Sequence, residues 1–280
     1  METNAKKFLL DENFISKKKN ELEGQVDAIL AGKDEQLLDF FSNYTFWNGI
    51  FAGCVINLAS RFHLGLEFGK YEVDSPQEDF FQTRGHRVAG LIFAAAEDEY
   101  ADGNCQVENM RVEHKSIAWF MIRKMYEFHN VDVNSRRLQP WMDEIIARTK
   151  VGYGVQSSSE FLDLAKQLGF HIASEKLASY EFGILADKIK VKKPEFVKWL
   201  EEQELVKGIN AFSWIEIHGP VEDIHANYAL DAAQMLVDYI GTRDKVLQAE
   251  VIRSMVEGFH ELSNIQGDFL ERYAKLPQTV

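Results

Sequence analysis

Apolar residues recur every three or four positions along most of the chain, and this spacing predicts helices almost throughout. The chain contains only 5 prolines, so few positions interrupt the pattern. The predicted helices cover residues 11–31, 35–69, 77–100, 107–128, 138–149, 157–189, 193–206, 211 or 220 to 240, and 243–273. No linker, repeat or change of composition marks a boundary. The pattern therefore predicts one all-α domain over residues 1–280, built as a helical bundle.

The helix near residue 220 carries three side chains of the kind that bind metals. His218, Glu222 and His225 stand at positions i, i+4 and i+7, which places them within about 60° of one another around a helix. Their neighbours are largely apolar, and buried imidazole and carboxylate groups are costly without a partner. A divalent metal would pair with all three, and the mixed nitrogen and oxygen donors suit iron better than calcium or magnesium. Pro220 predicts either a helix that begins there, with His218 just outside it, or a kink.

Two more segments could supply ligands to such a site. The third predicted helix closes with Glu97, Asp98 and Glu99, although acids oppose the dipole at a helix C-terminus. Glu99 is the preferred ligand of the three, with Glu97 and Asp98 as alternatives. His114 follows on the next helix, just before an apolar stretch. The other reading of the three acids is a solvated helix end.

A third contribution comes from the segment that begins at Gly169. Its small and apolar residues precede Glu175, which shares an inward face with residues three and seven positions earlier. His171 lies four residues before Glu175 and is read as an ordinary core or surface histidine, with support of the metal ligand Glu175 as the alternative. Glu181 lies near another face and is expected at the surface.

Together these segments resemble the heme-oxygenase-like diiron oxidases, the non-heme relatives of heme oxygenase and of the thiaminase-like TenA proteins. Three motifs carry the resemblance: the sequence from Glu99 to Asn104 followed by His114, the helix from Gly169 to Glu175, and His218-x3-Glu222-x2-His225. They lie within residues 90–235, about half of the chain. Ala101 departs from the family, which has a glycine soon after the first glutamate.

The resemblance implies a heme-oxygenase-like bundle of about seven main helices and two iron ions held by three carboxylates and three histidines. The implied ligands are Glu99, His114, Glu175, His218, Glu222 and His225. It also implies an oxidase or oxygenase that consumes O2, with an external reductant as an option. The substrate would be a small amino-acid or fatty-acid-like metabolite. Residues considered as partners for a substrate carboxylate are Arg61, Arg84, Arg87, Arg111 and Lys176.

Two alternatives keep the fold and change the function. A metal-free hydrolase of the TenA type would need a nucleophilic cysteine beside paired acids, and neither Cys54 nor Cys105 has such company in the sequence. A non-catalytic bundle would bind metal without oxidising a substrate. A heme oxygenase is disfavoured because polar ligands stand where a heme would need an apolar slot.

Charge and composition limit the classes of partner that are expected for this chain. The net charge of −13 argues against a nucleic-acid partner, because no basic stripe offsets it. Two cysteines give no disulfide framework, and the N-terminus lacks the apolar run of a signal peptide, so a cytoplasmic protein is expected. The most apolar segment, residues 46–58, is too short and polar to span a bilayer. The expected partner is a small-molecule substrate, with a homodimer left open.

Overall fold

The computed structural model describes residues 4–64, 84–101, 106–107, 110–155, 160–241 and 244–275. Helices account for most of these residues, as predicted. They are α1 (Ala5–Leu9), α2 (Glu12–Leu30), α3 (Asp34–Asn48), α4 (Phe51–Leu64), α5 (Arg84–Ala101), α6 (His114–Phe128), α7 (Met142–Gly152), α8 (Phe161–Lys192), α9 (Pro194–Glu201), α10 (Ser213–Gly241) and α11 (Lys245–Ala274). No helix within these ranges is both long and apolar enough to cross a bilayer.

Several helices begin where the sequence offers a cap. The Asp11 side chain accepts a hydrogen bond from the Phe14 amide at the start of α2, and Asp244 does the same for two amides at the start of α11. Each bond satisfies a backbone donor that has no partner inside the helix. Pro194 opens α9, where a missing amide hydrogen costs nothing.

The predicted helix over residues 35–69 is wrong in one respect, because α3 ends at Asn48 and α4 begins at Phe51. Asn48 and Gly49 are both poor helix formers. The Asn48 side chain donates to the Tyr44 carbonyl, one turn back. The break turns the chain between two buried helices. Residues 65–69 lie outside the described ranges.

Two predicted helices are shorter than expected because each adjoins a small hairpin. Residues 107–113 were expected to open α6, but β1 (Gln106–Val107) pairs with β2 (Met110–Arg111), and α6 begins at His114. Residues 202–206 were expected to close α9, but β3 (Glu204–Val206) pairs with β4 (Ile209–Asn210). A Lys-Gly dipeptide at residues 207–208 makes this second turn, as such dipeptides do between short strands.

Helix α10 continues through Pro220, so the prediction that the helix might begin at this proline is wrong. The proline is exposed, and the carbonyl that it leaves without an intrahelical partner therefore lies on the solvent side. His218 consequently belongs to the same helix as Glu222 and His225. Its side chain is 3% exposed, in line with theirs.

The centre of the bundle is α8, which makes its most extensive contacts with α11 and α10. Its apolar side chains, including Phe170 and Phe182, are fully buried. Helix α10 in turn contacts α5 and α6. This arrangement brings α5, α6, α8 and α10 around one space, and those four helices carry all six predicted ligands.

Candidate metal centre

The first group of candidate ligands joins three helices. Glu99 near the end of α5 lies 3.0 Å through its Oε1 from Nδ1 of His114, the first residue of α6. The same oxygen lies 3.7 Å from Nε2 of His218 on α10. The two imidazole rings face each other with centroids 4.7 Å apart. Both histidines are buried.

The second group joins α8 and α10. Nδ1 of His225 lies 3.3 Å from Glu222 Oε2 and 3.5 Å from Glu175 Oε2. All three side chains are buried. Within each group, one ligand atom per residue can be chosen so that these atoms lie within 4.8 Å of one another, close enough to hold a metal ion.

The structure thus brings all six predicted ligands together, in two groups of three rather than around one helix face. Helix α10 contributes to both, His218 to the first group and Glu222 with His225 to the second. Both groups line a single cavity. Glu97 is exposed and belongs to neither group. Metal binding by these residues stays a prediction.

The charges of the second group require compensation. Burial, together with the adjacent carboxylate of Glu175, raises the pKa of Glu222 well above its usual value. The pKa of Glu175 is held well below its usual value, because contacts with His171 and His225 outweigh the cost of burial. Burial alone would lower the pKa of His225, but the two glutamates raise it to about 12. Two carboxylates in contact away from water therefore depend on nearby positive charge.

The first group shows the same dependence. Burial would raise the pKa of Glu99, but hydrogen bonds from His114 and His218 lower it. Burial lowers the pKa of His218, and the contact with Glu99 only partly opposes this effect. A divalent cation in either group would supply the positive charge without protonating an imidazole. The donor set of buried carboxylates and histidines fits two such ions.

Further groups contact the ring nitrogens of the candidate histidine ligands that do not face the glutamates. Asp98 Oδ2 lies 3.0 Å from His225 Nε2, on the opposite side of the ring from the two glutamates. His218 Nδ1 contacts the Trp214 carbonyl, which leaves Nε2 directed at Glu99. Orientation of metal-binding histidines through their second nitrogen is typical of metal sites. Asp98 was considered only as a replacement for Glu99, and the structure gives the two acids different partners.

His171 is also part of this surrounding layer. It is fully buried, and its Nδ1 lies 3.1 Å from Glu175 Oε1. The Tyr153 hydroxyl lies 3.3 Å from the same nitrogen and 2.6 Å from the Ser174 hydroxyl. His171 is therefore a core histidine in contact with Glu175, and its support of a metal ligand stays a prediction. The spacing of four residues on one helix was the available signal.

The cavity beside the two groups has a volume of about 390 Å³. This is within the usual size for a small-molecule site. Its walls are mostly apolar and aromatic, with residues from α3, α4, α5, α6, α8, α10 and α11. Of the residues considered as carboxylate partners, Arg61 donates to Gln167, and Lys176 pairs with Asp223 at 2.7 Å. The side chains of Arg84 and Arg111 lie outside what the structure describes.

Glu181 also lines this cavity, and the prediction of a surface position is wrong. It is only 3% exposed, and its Oε2 accepts a hydrogen bond from Gln266. Within the described part of the chain, its Oε1 makes no hydrogen bond. Burial raises the pKa of Glu181 to about 7, although Gln266 and Tyr44 face the carboxyl and oppose the shift. These partners come from α3 and α11, so no local pattern in the sequence announces them.

The described cysteine does not suit a nucleophile. Cys54 is buried, and burial raises the pKa of its thiol to about 11. A thiol in that state forms little thiolate near neutral pH. Cys105 lies outside the described residues. The observation on Cys54 removes one of the two cysteines on which a TenA-type hydrolase could depend.

Comparisons with known proteins support the fold and nothing finer. No protein-family model matches the chain, and no curated protein matches it. A crystal structure of a CADD-like protein of unknown function from Nostoc punctiforme PCC 73102 is similar, with a TM-score of 0.56 and 12% identity over 90% of this chain and 86% of that one. The predicted heme-oxygenase-like helical bundle is confirmed.

Two further structures have similar coverage. A second crystal structure of the same Nostoc protein gives a TM-score of 0.52, at 13% identity over 94% of both chains. A TenA homolog from Pseudomonas syringae pv. tomato str. DC3000 has a TM-score of 0.48 and 13% identity over 93% of this chain and 92% of that one. At these identities the likeness concerns the arrangement of helices, so function has to be argued from the site.

Proposed function

We propose that the protein is a non-heme diiron oxidase or oxygenase that uses O2 to oxidise a small amino-acid or fatty-acid-like metabolite. The observation that carries the proposal is the pair of buried ligand groups on the wall of one cavity. The His218-x3-Glu222-x2-His225 motif, which resembles that of the diiron oxidases, favours iron over other metals. Mixed imidazole and carboxylate donors also suit iron.

Each group of residues would hold one ion. Glu99, His114 and His218 would bind one iron, and Glu175, Glu222 and His225 would bind the other. Bound ferrous iron would supply the electrons and open coordination positions that O2 requires. Each group offers three ligands from the described residues, so water or substrate could occupy the remaining coordination positions.

The surrounding residues would keep this geometry in place. Asp98 and the Trp214 carbonyl fix the two α10 histidines with the correct nitrogen directed at the carboxylates. Phe182 stacks on the His218 ring with centroids 4.5 Å apart, which restricts its rotation and excludes water on that side. Such support preorganises ligands before the metal binds.

The family resemblance allows several outcomes for the substrate. They are N-oxygenation, oxidative cleavage of a carbon–carbon bond, desaturation and decarboxylation to an alkene. An external reductant would be needed wherever substrate oxidation does not supply all the electrons that O2 accepts. The cavity beside the ligands, with its mostly apolar walls, would hold the substrate.

Oxygen consumption tests the proposal. Iron-loaded protein is mixed with O2 and with a panel of amino acids and fatty acids, and O2 decay is followed together with product formation by mass spectrometry. At least one compound should accelerate O2 decay and yield an oxidised product with the wild type and with the control variant His260→Ala, whose side chain is exposed. The variant His225→Ala should do neither.

Two outcomes would count against the proposal. Product formation by His225→Ala at the wild-type rate would show that the second group is not required. Tight iron binding by the wild type without any O2-coupled product would favour the non-catalytic metal-binding bundle instead.

A further inference from the structure

An arginine stands at the edge of the cavity without an acidic partner among the described residues. Arg136 lines the cavity wall, and its guanidinium carbon lies 4.1 Å above the ring centroid of Trp119. Stacking on an aromatic face holds a guanidinium flat and leaves its N–H groups directed sideways. Lys115, one turn before Trp119 on α6, also lines the cavity and adds positive charge.

The backbone that carries Arg136 is well fixed. It follows a short 3-10 turn, Val133–Ser135, where Asp132 caps the turn by accepting from the Asn134 amide. The Ser135 hydroxyl donates to the Asp132 carbonyl at 2.6 Å. The turn therefore places the Arg136 side chain over Trp119 rather than leaving it to solvent.

The absence of a carboxylate partner is informative in so acidic a chain. The sequence has 44 Asp and Glu against 31 Lys and Arg, so acids are plentiful. Arg148 pairs with Asp268 at 2.7 Å, and Arg272 pairs with Glu144 at 2.8 Å. Within the described residues, the half-buried Arg136 guanidinium forms no such ion pair. A fixed, unpaired guanidinium beside a cavity is suited to bidentate binding of a ligand carboxylate.

The cavity that Arg136 shares with the ligand groups has mostly apolar walls. Small side chains from α5 and α6, including Ala95, Ala96 and Ala118, line it together with Ile50 and Phe51. Trp119 follows His114 by five residues, which corresponds to about 7 Å along the axis of α6. A ligand that reaches from Arg136 to the ligand groups would therefore present an apolar chain of several carbons.

We infer that Arg136, stacked on Trp119, binds the carboxylate of an extended, apolar carboxylic acid whose far end lies beside the two ligand groups. The inference rests on the proposed function for what happens at that far end, but the carboxylate site itself needs no metal. It favours substrates with the reacting atom several bonds from the carboxylate. Compounds that present only an amine or a hydroxyl to Arg136 would bind more weakly.

Binding of a matched set of probes tests the inference. Octanoate, octan-1-ol and octylamine are titrated by calorimetry into the metal-free protein and into the ferrous protein without O2. We expect octanoate to bind most tightly to the wild type. The variant Arg136→Gln should bind octanoate about 10- to 100-fold more weakly than the wild type, the usual effect of losing hydrogen bonds between charged groups. Its affinity for octan-1-ol should be unchanged.

Two variants make the result specific. Arg137→Gln removes the same charge from the next residue. Arg137 is exposed, and its guanidinium donates to the Asn134 and Arg136 carbonyls. The octanoate affinity of this variant should therefore stay within about twofold of the wild type. Arg136→Lys keeps the charge but loses the planar guanidinium that can donate two parallel hydrogen bonds. Its octanoate affinity should lie between those of the wild type and Arg136→Gln.

The inference would be overturned by equal octanoate affinity of Arg136→Gln and the wild type, by an equal loss in Arg137→Gln, or by failure of octanoate to bind the wild type. Iron content measured on the same samples separates the two proposals. Wild-type protein that binds octanoate through Arg136 but no iron would contradict the proposed function alone. Iron binding without the Arg136 effect would contradict this inference alone.

Discussion

His225 shows how single residues determine the candidate centre. One ring nitrogen faces Glu175 and Glu222, and the other faces Asp98 at 3.0 Å. If Nε2 carries the hydrogen that Asp98 accepts, Nδ1 keeps its lone pair for a metal. Asp98 would thus select the tautomer that binds.

Removal of this acceptor should weaken the second ion. We expect Asp98→Ala to lower affinity for ferrous iron by about 10- to 100-fold, the usual effect of losing a residue that orients a metal-binding histidine. Asp98→Asn should lose less affinity for ferrous iron, because its amide oxygen still accepts a hydrogen bond. Competition with a chelator measures the affinity, with the neighbouring exposed Glu97→Gln as control. Unchanged affinity in Asp98→Ala would exclude this role.

Glu181 predicts a dependence of stability on pH. Burial raises its pKa to about 7 from the ordinary glutamate value of 4.5, so the native state binds the proton more tightly than the unfolded chain. Its contribution to stability is therefore complete below about pH 4.5 and is lost as pH rises to about 7. The loss amounts to at most about 3–4 kcal/mol.

The variant Glu181→Gln removes this titration while keeping the shape. On metal-free protein, wild type and variant should have similar free energies of unfolding near pH 4.5, and the variant should be the more stable near pH 8. Urea denaturation at several pH values measures the difference. A difference that does not vary with pH would show that Glu181 keeps an ordinary pKa.

Residues of this kind mark the limit of prediction from sequence. The six ligand candidates could be proposed because their residue types stand out within apolar helices, and because their motifs resemble a family. Tyr44 and Gln266 come from other helices than Glu181 and carry no local signal. Asp98, although considered as an alternative to Glu99, carries no signal of its contact with His225. Their roles depend on contacts between segments far apart in the chain, such as that of Gln266 with Glu181.

At the scale of elements, the crossing of α8 and α11 depends on two glycines. A side-chain carbon on Gly169 would overlap the Met255 carbonyl, and one on Gly258 would overlap the Lys166 carbonyl. The two helix backbones therefore approach as closely as glycine permits. This contact fixes where α8 lies along its axis relative to α11, and with it the position of Glu175.

A matched pair of variants in α11 tests this contact. Gly258→Ala should destabilise the protein by about 1–3 kcal/mol, because the added methyl group forces the helices apart. Gly267→Ala, in the same helix but with open space around it, should be neutral or stabilising by up to about 1 kcal/mol. Denaturation midpoints measure both. Equal stability of Gly258→Ala and the wild type would contradict the close approach.

Helix positions were predictable to the extent that capping and periodicity determine them. The predicted helix over residues 11–31 matches α2 closely, and its cap is Asp11. The break at Gly49 and the two hairpins were missed because short turns can hide inside a periodic apolar pattern. At Pro220 the error was the opposite one, because a helix start was considered where the helix continues. An exposed proline is tolerated where its side of the helix faces water.

At the scale of the whole molecule, the fold gathers acids from α5, α8 and α10 around one cavity, so metal binding should stabilise the folded chain. A ligand that binds only the native state at 100 times its dissociation constant adds about 2.7 kcal/mol. Ferrous iron without O2 should therefore raise the melting temperature of the wild type, and a chelator should reverse the rise. In Arg137→Gln the rise should be unchanged, and in Glu222→Gln it should be smaller.

The number of iron ions bound per chain tests the central claim most directly. Anaerobic ferrous titration should give about two ions for the wild type, and about one for either His114→Ala or His225→Ala, because each variant removes a ligand from a different group. His260→Ala should keep the wild-type value. Full iron binding in both ligand variants, or none in the wild type, would contradict the account.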